Sequence, residues 1–181
     1  MSNPRILSVN KSNAYSFSKK SVPEIYLIEG IGIEGDIHSG KLVKHRSRIK
    51  RDPTVPNLRQ VHLIHAELLD SLSKQGHQIM PGNIGENITT RGIDLLSLST
   101  NTVLQLRDEA QIQVAGLRNP CQQLNNFQEG LMQKLIFKDT TGEITRLAGI
   151  MSIVNKSGYV RTGDPITIVN KPSVYKKLEP I

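Results

Sequence analysis

Cys121 is the only cysteine in the 181 residues, and it stands in the polar stretch Gly116-Leu117-Arg118-Asn119-Pro120-Cys121-Gln122-Gln123-Leu124-Asn125. An unpaired cysteine usually sits among apolar neighbours, where it packs as a small hydrophobe. These neighbours are basic, amide-bearing or backbone-restricting, which turns attention to the reactivity of the sulfur. Asn119 is a favoured helix N-cap and Pro120 a favoured first helical residue. That pairing predicts a helix whose opening turn contains Cys121. There the helix dipole and the charge of Arg118 would both favour a thiolate, a nucleophile and soft metal ligand. The alternative at this point is an inert buried cysteine that happens to follow a cap.

Other chemistries find less support. A structural zinc site needs four ligands, commonly in paired spacing. His62 and His65 are three apart, but a strand-to-helix break is expected between them, and both are read as structural. His45 falls in a basic run and His77 in a turn. Asp36 follows Gly35 and is read as a turn residue. No zinc site is evident.

These residues need a frame. The chain is long enough for one domain with its own core. A single cysteine allows no internal disulfide. No apolar run reaches the ~20 residues that span a bilayer, and the first residues carry no secretory signal, so a soluble cytoplasmic protein without a membrane partner is expected. The formal charge of +7 and pI near 9.6 point to an anionic partner. Aromatics at 4%, with no Trp, argue against nucleic acid, which single-strand binders hold on aromatic platforms. The densest basic run, residues 44–51, lies in a segment (44–57) read as a mobile, solvated loop that could steer an anion inward.

Strands are expected at 6–10, 24–28, 61–64, 87–90, 102–107, 111–115, 146–154, 158–161 and 166–169. Helices are expected at about 65–74 and roughly 120–137, the second weakened by Gly130. Residues 170–181 read as a tail. Many short strands with two helices predict a mainly β chain, a barrel with a few helices.

Five segments then carry a resemblance: GIEGDIHSGK (32–41), RQVHLIHAELL (59–69), PGNIGENITTRGIDLLSL (81–98), NTVLQLRDEAQIQVAGLRNPCQQL (101–124) and GYVRTGDPITIV (158–169). In order and spacing the chain resembles the MOSC domain, the module at the C-terminus of molybdenum cofactor sulfurases that also occurs as a stand-alone bacterial protein. The resemblance spans about residues 20–169 of one domain covering 1–181. It implies a MOSC-type β-barrel and one functional cysteine, here Cys121. It implies either molybdenum ligation within a pterin cofactor or carriage of sulfur, in cofactor or metal–sulfur cluster chemistry. His38 in GDIHSG becomes the candidate proton-transfer residue beside Cys121. Arg118, Asn119, Glu86, Asn87 and Arg91 become candidates to hold the cofactor.

The chain carries no pyridoxal-phosphate domain, ferredoxin-like segment or nicotinamide or flavin fingerprint. An oxidoreductase or sulfur-transferase activity would therefore need a partner: a sulfur donor or acceptor protein, or a redox protein. Two other functional classes stay open, a nucleic-acid-binding barrel that uses residues 44–51 and a catalytically silent adaptor or assembly subunit.

Overall fold

The computed structural model describes residues 3–181, apart from the side chains of Arg46 and Ser47. The first two residues of the expected domain and the Arg46 side chain of the basic run thus lie outside the described residues. The strands are β1 (Arg5–Lys11), β2 (Lys20–Val22), β3 (Glu24–Ile28), β4 (Gly32–Ile33), β5 (Val61–His65), β6 (Ile88–Arg91), β7 (Val103–Leu106), β8 (Ala110–Leu117), β9 (Ile136–Lys138), β10 (Ile144–Arg146), β11 (Ile150–Lys156), β12 (Gly158–Arg161) and β13 (Ile166–Asn170). The helices are α1 (Arg46–Ile49), α2 (Ala66–Lys74), α3 (Gln123–Phe127) and α4 (Leu131–Leu135), with a 3-10 turn at Leu95–Ser97.

Alternation explains the strands that sequence reading located well. In β8 every second residue is buried, from Ala110 through Ile112 and Val114 to Gly116, the pattern of a sheet with one wet face. β8 lies at the centre of an eight-stranded sheet ordered β13-β7-β8-β11-β5-β6-β1-β2. Its pairs are antiparallel except β5 with β6. A second sheet, β12-β3-β4, covers one side, and Ile6, Leu27, Leu63, Leu104, Ile112 and Ile150 fill the space between. On the outside, α2, α3 and α4 bury Leu69, Leu72, Leu124, Leu131 and Leu135 in a smaller cluster.

The expected barrel is corrected to a sheet that does not close on itself. Among the described residues no ladder joins β13 to β2. Only the start of β1 approaches the other edge, where Ile6 N donates to Asp164 O at 2.9 Å and Ile166 N to Pro4 O at 3.0 Å.

Three further readings change. The helix expected over residues 120–137 begins only at Gln123 and breaks at Gly130, whose φ of +77° lies in the left-handed region that glycine tolerates best. Instead of capping, Asn119 Oδ1 accepts a hydrogen bond from Arg146 Nε at 2.9 Å. The expected tail runs beside β8, where Leu178 is buried and Leu117 N donates to Glu179 O at 2.8 Å. In the basic segment, α1 forms one turn, and the base is closed by Val43 N donating to Val55 O at 2.9 Å. Among the described residues no helix is long and apolar enough to cross a membrane.

Candidate functional site

The turn after β4 fixes the first part of the site. Asp36 N donates to Ile33 O at 3.1 Å, and Asp36 Oδ1 accepts from His38 N at 2.9 Å, so the carboxylate folds its own loop. Asp36 also does more than a turn requires. Its Oδ2 accepts from Lys19 Nζ at 2.7 Å and from Asn87 Nδ2 at 3.1 Å. His38 Nδ1 lies 3.3 Å from Asp36 Oδ1, within ion-pair range but poorly aligned for a hydrogen bond. Burial pushes the Asp36 carboxyl up, but the His38 and Lys19 contacts outweigh it and hold the group below the ordinary carboxylate range. Burial in turn pushes Lys19 below the usual lysine range, against the pull of Asp36.

The PGNIGEN turn brings in the second part. Gly85 has φ +90°, and a Cβ on it would lie 2.7 Å from Phe17 O. Only glycine lets the backbone approach that closely. The turn delivers Asn87 to the cleft, where its Oδ1 accepts from His62 N at 3.2 Å. Glu86 faces the other way. It is fully buried, and its Oε1 accepts from Gly82 N at 2.6 Å and Thr89 Oγ1 at 3.0 Å. Desolvation pushes the Glu86 carboxyl up, opposed by those bonds and by Arg118.

The end of β8 supplies the third part. Arg118 is 8% exposed, and its guanidinium donates to Ile84 O at 2.7 Å and lies over the Phe17 ring. Burial pushes its pKa down, while Cys121 and Glu86 push it up. Cys121 follows three residues later, half-buried, with Sγ donating to Gln123 Oε1 at 3.5 Å. It stands ahead of α3, outside the helix, so the expected place in a helix's opening turn is not realised.

These parts meet at a cleft of about 90 Å³ lined by Phe17, Lys19, His38, Lys44, His45, Asn57, Arg59, His62, Asn87, Arg118 and Gln123, among others. Of the predicted residues, His38, Asn87 and Arg118 line it, and Cys121 adjoins it through Gln123. Three do not line it: Glu86 is sealed beneath, Asn119 is tied to Arg146, and Arg91 pairs with Asp70 at 2.8 Å on an exposed face. Among the described residues no group of three or more His, Cys, Asp or Glu could hold a metal ion.

Lys19, Arg59, His45 and His62 are the residues sequence reasoning missed. Nothing in SFSKKSV marks Lys19 as buried. His62 was set aside as structural, and indeed its Nε2 donates to Ala148 O at 2.8 Å, yet its ring also lines the cleft. Burial first, then Arg118, pushes His62 well below the ordinary imidazole range. Burial first, then the charges of Arg59 and Arg48 among its neighbours, lower His45 to about 4. Arg59 follows Asn57, whose amide donates to His38 O at 2.9 Å and whose Oδ1 accepts from Arg59 N at 3.0 Å. Burial and the like charges of Arg48 and Arg118 push Arg59 down to about 10, and the neighbouring Cys121 pulls it back up.

The cleft is therefore a small cationic recess with neutral imidazoles and one thiol at its edge. Among curated proteins none matches this chain. The fold is similar to the crystal structure of the YuaD protein from Bacillus subtilis, with a TM-score of 0.72 and 25% identity over 91% of this chain and 94% of that one. It is also similar to YiiM from Escherichia coli (TM-score 0.65, 20% identity, 97% and 74% covered) and YiiM from Geobacillus stearothermophilus (0.63, 16%, 92% and 75%). At those identities the YiiM structures establish the fold alone. The MOSC domain family model matches residues 35–167, most of the length and all of the cleft's loops from Asp36 onward. The chain belongs to the MOSC domain family.

Proposed function

We propose that the protein acts through the Cys121 thiolate, as a carrier of sulfur or as the thiolate ligand of a molybdenum–pterin cofactor. One observation carries this reading: the only thiol of the chain adjoins a cleft whose ionised wall is cationic. Arg59 and Arg118 both feel the Cys121 charge. Such a wall suits an anionic partner for the thiol.

The residues fit the anionic part of a molybdenum–pterin cofactor. Cys121 would supply the soft ligand, and Arg59, Arg118 and Lys44 would neutralise a phosphate. A recess of about 90 Å³ is below the ~300–1,000 Å³ that encloses a whole ligand, so the larger part of such a group would lie over the rim. When bound, the metal would supply redox chemistry, with electrons from a partner protein. The chain's own residues hold the charge and exclude water. Asp36 fixes the His38 loop, and His38 is the group in the cleft wall suited to move a proton.

Intact-mass and metal analysis of protein purified from a molybdenum-replete host tests the reading. Wild type should carry extra sulfur or stoichiometric molybdenum, and Cys121→Ser neither. Equal loading in the two would leave the adaptor reading standing. The nucleic-acid alternative predicts affinity that falls steeply with salt and depends on Arg48, Lys50 and Arg51.

A further inference from the structure

Resting on the reading of Cys121 as a sulfur-handling thiolate, we propose that the cleft binds a compact oxyanion bearing a sulfane sulfur, the class of thiosulfate, and that Cys121 takes the sulfur from it. The argument starts from charge that the protein leaves unbalanced. Of the cations in the wall, Lys19 is matched by Asp36 at 2.7 Å. Arg118 makes one hydrogen bond, to a carbonyl, and Arg59 has no ion pair among the described residues. Partly burying a guanidinium without a counter-ion is costly; Glu86 offsets part of that cost for Arg118, and an anion in the recess would relieve it for half-buried Arg59.

Size and chemistry narrow the class. The recess suits a group of a few heavy atoms rather than a whole nucleotide or pterin. The residue at its edge is a nucleophilic sulfur, so the anion that would react there is one that offers sulfur. Phosphate and sulfate share the charge and would occupy the recess without reacting.

The step balances within the two reactants. The Cys121 thiolate attacks the outer sulfur of thiosulfate, and the Sγ–S bond forms as the donor's S–S bond breaks. Sulfite leaves with the bonding electron pair. The total negative charge is the same before and after, and the sulfane sulfur passes on unchanged in oxidation state, so no oxidant, reductant or proton is required. As the S–S bond breaks, charge accumulates on the departing sulfite, and Arg59 and Arg118 are the groups that stabilise it. Such a donor would give the chain sulfur without a pyridoxal-phosphate domain.

The test uses the full chain, with thiosulfate as anionic donor and an organic trisulfide as neutral donor. With thiosulfate the readouts are sulfite release and the gain of one sulfur atom in intact mass; with the trisulfide they are the release of one thiol and the gain of its RSS group on the protein. Wild type should gain sulfur from thiosulfate, saturably and with competition by sulfate. Arg59→Gln should cut the preference for thiosulfate over trisulfide about tenfold, the scale of one lost charge-assisted contact, and Arg59→Lys should restore part of it. Cys121→Ser should gain none. If trisulfide loads Cys121 and thiosulfate does not, the sulfur-carrier reading survives and the oxyanion site is wrong. Loading from neither donor overturns both. Loading that is the same in wild type and Arg59→Gln, and is indifferent to sulfate, overturns the oxyanion site.

Discussion

In the sheet interior, Ile6, Leu63, Leu104, Ile112 and Ile150 meet as one apolar cluster, whereas beneath the cleft Lys19, Asp36, Glu86, Asn87 and Arg118 are buried as deeply but meet as ions and amides. The first region is stabilised by removing apolar surface from water, and its parts are replaceable by anything of similar shape. The second is stabilised only while every partner is present, because an orphaned buried charge costs more than the pair contributes. The apolar core therefore serves as scaffold, and the polar floor is specified by the site it supports.

The largest expected break in that comparison is Asp36→Asn. It leaves Lys19 buried without its counter-charge and replaces one of the two acceptor oxygens shared by Lys19, Asn87 and the His38 loop with an amide donor, so unfolding free energy from urea titration should drop by about 3–5 kcal/mol. Leu104→Ala in the scaffold should cost about 2–5 kcal/mol through its cavity yet leave Cys121 alkylation unchanged. A drop under about 1 kcal/mol for Asp36→Asn would mean the polar floor is not coupled as described.

Gly85→Ala comes next. At φ +90°, and with a Cβ 2.7 Å from Phe17 O, it should cost about 1–3 kcal/mol by the same titration. It should also loosen the turn that delivers Asn87.

A smaller effect concerns pH. His45 is lowered from 6.5 to about 4, so between those values the unfolded chain takes up a proton that the folded chain refuses. Stability contributed by the neutral ring is therefore present above about 6.5 and lost as pH falls toward about 4. His62 acts in the same direction. The melting temperature should fall across that window, and His45→Gln should flatten the fall. An unchanged slope in that variant would show that His45 titrates normally.

The smallest effect should come from Arg48→Gln, Lys50→Gln and Arg51→Gln outside the cleft. Each should move the melting temperature by under about 2 °C. A larger shift would show that this turn is packed rather than solvated.

Most of the frame was legible because β8 and α2 have clear periodicity, and short-range rules suffice for them. The helix start at Cys121 was misread for a physical reason: the Asn119 side chain has a stronger use, bonding Arg146 from another strand, and propensity cannot see a partner 27 positions away. The barrel failed to close for a comparable reason, since the meeting of β1 with the β12–β13 turn is a tertiary matter. Of the residues that meet at or beside the cleft, Cys121 and Arg118 stand out in their local sequence, and His38 and Asn87 through the family resemblance. Lys19 and Arg59 were not, because a lysine in SFSKKSV and an arginine near a basic run look solvated until long-range contacts bury them. Arg91 erred the other way: it shares a strand with the GENIT turn but lies at its exposed end, paired with Asp70.

The most direct test of the central claim, a thiol under a cationic wall, is the ratio of alkylation rates of Cys121 by iodoacetate and iodoacetamide, which differ in charge. The account predicts that the ratio exceeds that of free cysteine by about tenfold, shrinks as salt is raised, and falls in Arg59→Gln. A ratio equal to that of free cysteine, unmoved by salt or by that substitution, would contradict it.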